Sequence, residues 1–202
     1  MDFDSIMKMP VIGQTIDRGI NGGTEWGQTY LNDPRWLGDK DKMANNVIYQ
    51  STLWSVGNGI ASGVVGIAGI PLDVATALYS QVKLASALFT IYGIDTKSES
   101  AQPLVLAAAA GVSVSEFAHT LGTKAAQQAI QKALMSIPGK TFAQINKALG
   151  IKLIAKTGEK TLLNVAKIVP FVGSAVGGTV NGVMMNACGH SVKVFIKAWN
   201  QS

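Results

Sequence analysis

From Met43 to Leu72 the chain carries no charged side chain, yet Gly57, Gly59, Gly63, Gly66 and Gly69 interrupt the apolar part of that run. Gly59, Gly63 and Gly66 are four and three residues apart. On a helix that spacing leaves a stripe of bare backbone. A second helix, or a second copy of the same one, can approach such a stripe closely. Pro71 and Asp73 then punctuate the run. A second helical pattern follows, through Val74, Leu78, Val82, Leu84, Ala85, Leu88, Phe89 and Tyr92, and stops at Gly93. The stretch from Trp54 to Asp95 predicts glycine-notched apolar helices packed against something.

A membrane-spanning helix needs roughly 20 apolar residues. Here Asn45, Asn46, Gln50, Ser51, Thr52, Ser55, Asn58 and Ser62 are spread through the uncharged run. Each interior glycine also lowers helix stability by about 1 kcal/mol relative to alanine. Ile60 to Leu72 is cleanly apolar but too short alone. Extended to Val74–Tyr79, it carries Pro71 and Asp73 at its middle. That shape suits a re-entrant hairpin, or two core helices meeting at an Ile70-Pro71-Leu72 corner, better than a span.

The same logic returns near the C-terminus. Between Ile168 and Val192 there is no Asp, Glu, Lys or Arg. Gly173 and Gly177 are four apart, as are Gly178 and Gly182. Between the two runs, residues 101–121 read as one Ala-rich helix opened by Pro103 with Gly111 inside it. Residues 123–135, 142–149 and 159–169 read as amphipathic helices. No run alternates as strands do. The expected fold is all-α, a compact multi-helix bundle in which the two glycine-rich apolar helices pack together, with Asp73 and Asn181 available to pair. Residues 1–40 differ in composition and read as an N-terminal arm or cap, with short helices broken by Pro10; residues 41–202 read as the main helical domain.

Only 14% of residues are charged, against about 25% in ordinary domains, and mean hydropathy is +0.25. This leans toward a membrane-associated or self-associating helical protein; a well-buried soluble bundle is the plainer alternative. Net charge is +5, carried largely by lysines of the C-terminal half at helical spacings. Such a face suits an anionic membrane surface or simply solvent. It lacks the aromatic interleaving of a nucleic-acid module, so no nucleic-acid partner is expected. Cys188 is the single cysteine, so no intramolecular disulfide forms. Asp2 and Asp4 stand where a signal peptide would carry positive charge. The expected location is the cytoplasm, peripheral to the inner face of the membrane.

Catalytic patterns fail on inspection. Pro138-Gly139-Lys140-Thr141 ends like a P-loop, but Leu134 stands where the first glycine belongs. Gly57-Asn58-Gly59 opens like a dinucleotide fingerprint, but Ser62 replaces the third glycine. Glu116 and His119 share a helix face at a spacing that di-iron bundles use; a simple polar pair at a helix end is the plainer account. Cys188 and His190 are two apart and point to different helix faces. No cofactor, metal or small-molecule substrate is expected, and the chain reads as a non-enzyme.

The order of a glycine-rich apolar run, Ile70-Pro71-Leu72-Asp73, Gln81, Ile91-Tyr92-Gly93 with Ile94-Asp95, and the distal Pro170–Gly182 segment resembles the EcsC family of bacterial proteins over about residues 57–199. A similar pattern occurs in membrane-associated helical domains attached to some bacterial GTPases. The family-like positions are Gly63, Gly66, Pro71, Asp73, Gln81, Tyr92, Gly93, Gly173, Gly177, Gly178 and Asn181; all of these but Gly93, together with Gly59, form the candidate packing and interaction residues. The family takes its name from a protein encoded beside an ABC transporter and has no established biochemical activity. The resemblance therefore implies no chemical role for any of them. The expected function is non-enzymatic association with a membrane or a membrane-bound partner through helix packing. A soluble self-assembling or protein-binding module is the alternative, and a pore-forming or membrane-disrupting toxin a weaker one.

Overall fold

The computed structural model describes residues 10–58, 72–98, 100–124, 126–136 and 176–201. Among them every regular element is helical: α1 (Pro10–Leu31), a 3-10 turn (Pro34–Trp36), α2 (Lys40–Asn58), α3 (Leu72–Ile91), α4 (Ala101–Ala109), α5 (Val114–Thr120), α6 (Gln127–Ser136) and α7 (Val176–Gln201).

Helix α3 is the axis of the molecule. Leu84, Ala85, Ala87, Leu88, Phe89 and Ile91 are all fully buried, as is Val82. A helix apolar on every side must be covered on every side. Helix α1 lies along one flank, α2 and α7 along others, and α4 closes the rest. Helix α4 buries every residue except Gln102. Phe89 and Phe117 both stack against Phe195 of α7. These rings tie the central helix, α5 and the last helix into one core.

Of the segment read as short helices broken by Pro10, the described part holds one helix that begins at Pro10, followed by the 3-10 turn. Proline is tolerated in the first turn, where its missing N–H has no intrahelical partner to lose. Residues 1–9 lie outside the described residues. Ile16, Ile20 and Tyr30 of α1 belong to the same core as α3.

Helix α1 meets α3 through three glycines that sequence reading passed over. A Cβ on Gly19 would sit 2.9 Å from the Val82 Cβ, and one on Gly27 2.7 Å from the Thr90 Cβ. One on Gly23 would collide with the Lys83 carbonyl oxygen. The partners Val82, Ser86 and Thr90 advance by four as the glycines do, so the two helices run parallel. A chain of hydroxyls closes the top of this seam. Thr24 Oγ1 donates to the Ile20 carbonyl at 2.7 Å. Its remaining lone pair faces Thr96 Oγ1 at 2.6 Å, which in turn faces Thr90 Oγ1 at 3.4 Å. With the Thr24 proton committed, the order of donation runs from Thr90 to Thr96 to Thr24. Ser86 Oγ, buried lower in the seam, has no hydrogen-bond partner among the described residues.

The stretch 101–121, read as one helix, is two. Gly111 takes φ +71°, which ends α4. The Val112 N–H bonds to the Ala107 carbonyl and the Gly111 N–H to that of Ala108, the paired bonds of a Schellman cap. Ser113 then starts α5 by accepting from the Glu116 N–H. Gly93 ends α3 in the same way at φ +88°, with Ile94 bonded back to Phe89 and Gly93 to Thr90. In the 123–135 segment the helix starts at Gln127, and its Ile130 and Leu134 are buried. The helices expected at 142–149 and 159–169 lie outside the described residues, as does the run 59–71.

Candidate interaction surface

Helices α2 and α7 form an antiparallel pair. A Cβ on Gly189 would lie 2.6 Å from Ile48 Cγ1, and one on Gly182 2.6 Å from Val56 Cγ2. The seam therefore uses bare backbone on α7 against Ile48, Thr52 and Val56 at helical spacing on α2. Gly182 belongs to the second glycine-rich run, and it packs on the end of α2 that leads into the first.

The two ends of this pair differ chemically. At one end Asp41 is the centre of a polar cluster. It accepts from the Tyr92 hydroxyl at 2.6 Å, and Lys193 Nζ and Lys197 Nζ lie 3.0 and 3.2 Å from its Oδ1. Lys193 also donates to Asn45 Oδ1 at 2.8 Å. The Tyr92 hydroxyl first, then the two ammonium groups, hold the Asp41 carboxyl well below the usual carboxylate range. Burial first, and then the hydrogen bond it donates to Asp41, push the Tyr92 phenol well above its ordinary value. The cluster joins the start of α2, the end of α3 and the end of α7.

At the other end the pair itself carries no charge. Helix α2 carries no charged residue after Lys42, and α7 none before Lys193. Here Tyr49, Leu53 and Trp54 on α2 and Val183 on α7 are exposed, Trp54 by 64%. Tyr49 and Leu53 are one turn apart and share a face, with Trp54 beside it. An indole and a phenol with their apolar rings in water are a concentrated unpaid hydrophobic surface. This polarity along α2–α7 is the candidate site.

The residues singled out from sequence fall in several places. Gly59, Gly63, Gly66, Pro71 and Gly173 lie outside the described residues. Asp73 is in the first turn of α3; Gly177, Gly178 and Asn181 are in the opening turns of α7. Of those four the backbone alone is described, so the Asp73–Asn181 pairing falls outside the described side chains. Gln81 is buried on α3. Tyr92 is the one whose side chain enters the polar cluster. Glu116 and His119 are both exposed on α5. Cys188 is buried with its thiol toward the Ala109 carbonyl, whereas His190 is exposed. Among the described residues no three His, Cys, Asp or Glu side chains converge as metal ligands.

Sequence reading missed Asp41, Lys193 and Lys197. Asp41 falls at the join drawn between the arm 1–40 and the main domain, but α2 already begins at Lys40. Asp41 in a first helical turn was the available signal, since acids favour that position.

Fold and site together define an all-α bundle built on a buried central helix, with a surface that is polar at one end and apolar at the other. A family model described as the EcsC protein family matches residues 30–197, and the chain belongs to that family. The match starts at Tyr30 and so takes in α2, which the resemblance over 57–199 left outside. No curated protein and no solved structure matches the chain.

Proposed function

We propose that this EcsC-family protein acts without catalysis, by peripheral association with the cytoplasmic face of a membrane. The observation that carries the reading is the uncharged, aromatic-bearing end of α2–α7. Two separate uncharged stretches of sequence meet there. Trp and Tyr favour the boundary between headgroups and acyl chains, where the ring is buried and its polar atom stays wet. No described helix is long and apolar enough to cross a membrane. The net charge of +5 adds long-range attraction to anionic headgroups.

Sedimentation with vesicles of equal parts phosphatidylglycerol and phosphatidylethanolamine tests this. The protein pellets with the vesicles at low salt. Full recovery in the supernatant would sink the reading.

A second reading, a soluble helical module that binds a protein or itself, draws on a different observation. Gly19, Gly23, Gly27, Gly182 and Gly189 are all used inside the bundle, as in a soluble core. It predicts a discrete oligomer in detergent-free buffer and no vesicle binding.

A further inference from the structure

The membrane reading rests on one end of α2–α7 and leaves open which residues meet the bilayer and how the bundle stands on it. We infer that it stands on the bilayer on the uncharged end of α2–α7, with Leu53 and Trp54 at the boundary of headgroups and acyl chains and the Asp41 cluster turned to water. The inference rests on the membrane reading and adds the contact residues and the orientation.

The argument is one of charge matching along an axis. An interfacial element sinks about 5–10 Å into the headgroup and acyl boundary. Any charge carried that deep must be desolvated, at a cost of several kcal/mol if unpaired. Past Lys42, α2 brings no charge, and neither does α7 before Lys193. Helical rise places Trp54 about 18 Å from Lys42 along α2. The end of the pair bearing Trp54 can therefore sink to interfacial depth while its charged end stays clear; the charges toward that end, Asp17 and Arg18 on α1 and Asp73 on α3, belong to other helices. The reverse orientation would submerge Asp39, Lys40, Asp41, Lys42, Lys193 and Lys197. A protein partner of ordinary composition would bring charges to a face with nothing to pair them; hydrocarbon brings none.

Exposure alone does not pick this end. Leu37 and Val194 are exposed by 82% and 69%, more than Trp54. Both sit among charges, Leu37 beside Asp39 and Val194 beside Lys193. Singly exposed apolar residues of that kind are ordinary on protein surfaces. At the uncharged end Tyr49, Leu53, Trp54 and Val183 fall at neighbouring levels of two packed helices.

A fluorescent reporter distinguishes the orientations. In a Cys188→Ala background, Leu53→Cys and Val194→Cys each carry an environment-sensitive nitrobenzoxadiazole dye. With the phosphatidylglycerol and phosphatidylethanolamine vesicles, the dye at 53 brightens several-fold and shifts to the blue, and the dye at 194 is unchanged. A response at 194, or none at 53 while the protein still pellets, overturns the orientation and leaves membrane association standing. A protein that stays in the supernatant overturns both. Leu53→Asp with Trp54→Asp supplies the second arm. Both side chains are exposed, so thermal unfolding is unchanged, while vesicle affinity falls about tenfold or more. Undiminished binding by this variant also overturns the inference.

Discussion

A methyl group at Gly23 would meet the Lys83 carbonyl and lie 2.6 Å from the Ser86 Cβ, whereas one at Gly13 would meet nothing within 4 Å. Both glycines are in α1, so their helix propensities are alike and their surroundings decide. Gly13→Ala is expected to stabilise by about 0.5–1 kcal/mol. Gly23→Ala must push α1 off α3 and is expected to destabilise by about 2–3 kcal/mol. Chemical denaturation of the two variants measures both, and equal effects would refute the close crossing. Ser86→Ala is a third case. It removes a buried hydroxyl without a hydrogen-bond partner among the described residues, whose burial costs about 1–3 kcal/mol, so the variant is expected to be as stable as the wild type or more so. The Gly19, Gly23, Gly27 spacing was present in the sequence as plainly as that of Gly173 and Gly177. It went unread because Asn21, Thr24 and Glu25 lie between, and attention to apolar runs passes over glycines set among polar residues.

At the level of elements, the course of α3 was legible because its apolar positions and its closing Gly93 agree. The break at Gly111 was not. Alanines on both sides favour helix, and nothing local distinguishes a glycine inside a helix from one that ends it. Gly111→Ala forces a left-handed conformation on a residue with a Cβ and is expected to cost about 1–2 kcal/mol. The join between α2, α3 and α7 predicts how stability changes with pH. The Asp41 pKa is depressed in the folded protein, so its contribution is present above the unfolded value of about 4 and is lost as pH falls below it. The Tyr92 pKa is raised, so its contribution is present below the unfolded value of about 10 and is lost as pH rises beyond that. Unfolding free energy against pH, from chemical denaturation, should fall at both limits. Tyr92→Phe should flatten the alkaline limb and leave the neutral plateau lower by about 1 kcal/mol. An unchanged alkaline limb in that variant would show that Tyr92 does not drive it.

For the whole molecule, all-α class and family membership could be read from pattern alone, because helical periodicity and motif order are local properties. The gathering of two uncharged stretches at one end of α2–α7 is not local. It depends on α7 running antiparallel to α2, and that is fixed by Gly182 and Gly189 fitting Val56 and Ile48. The ion pairs from Asp41 to Lys193 and Lys197 were hidden for the same reason. They join the two extremes of the family match.

The parallel seam of α1 on α3 also bears on how the chain is made. Gly23 leaves the ribosome roughly sixty residues ahead of Ser86, which at about 5–20 residues per second is a wait of about 3–12 seconds. During that time α1 has its bare glycine stripe and no partner helix to cover it. Because α1 and α3 point the same way, α2 must be made between them, and a two-helix hairpin of α1 with α2 cannot supply the missing surface. Among the described helices, α1 is thus made well before the partner that covers it.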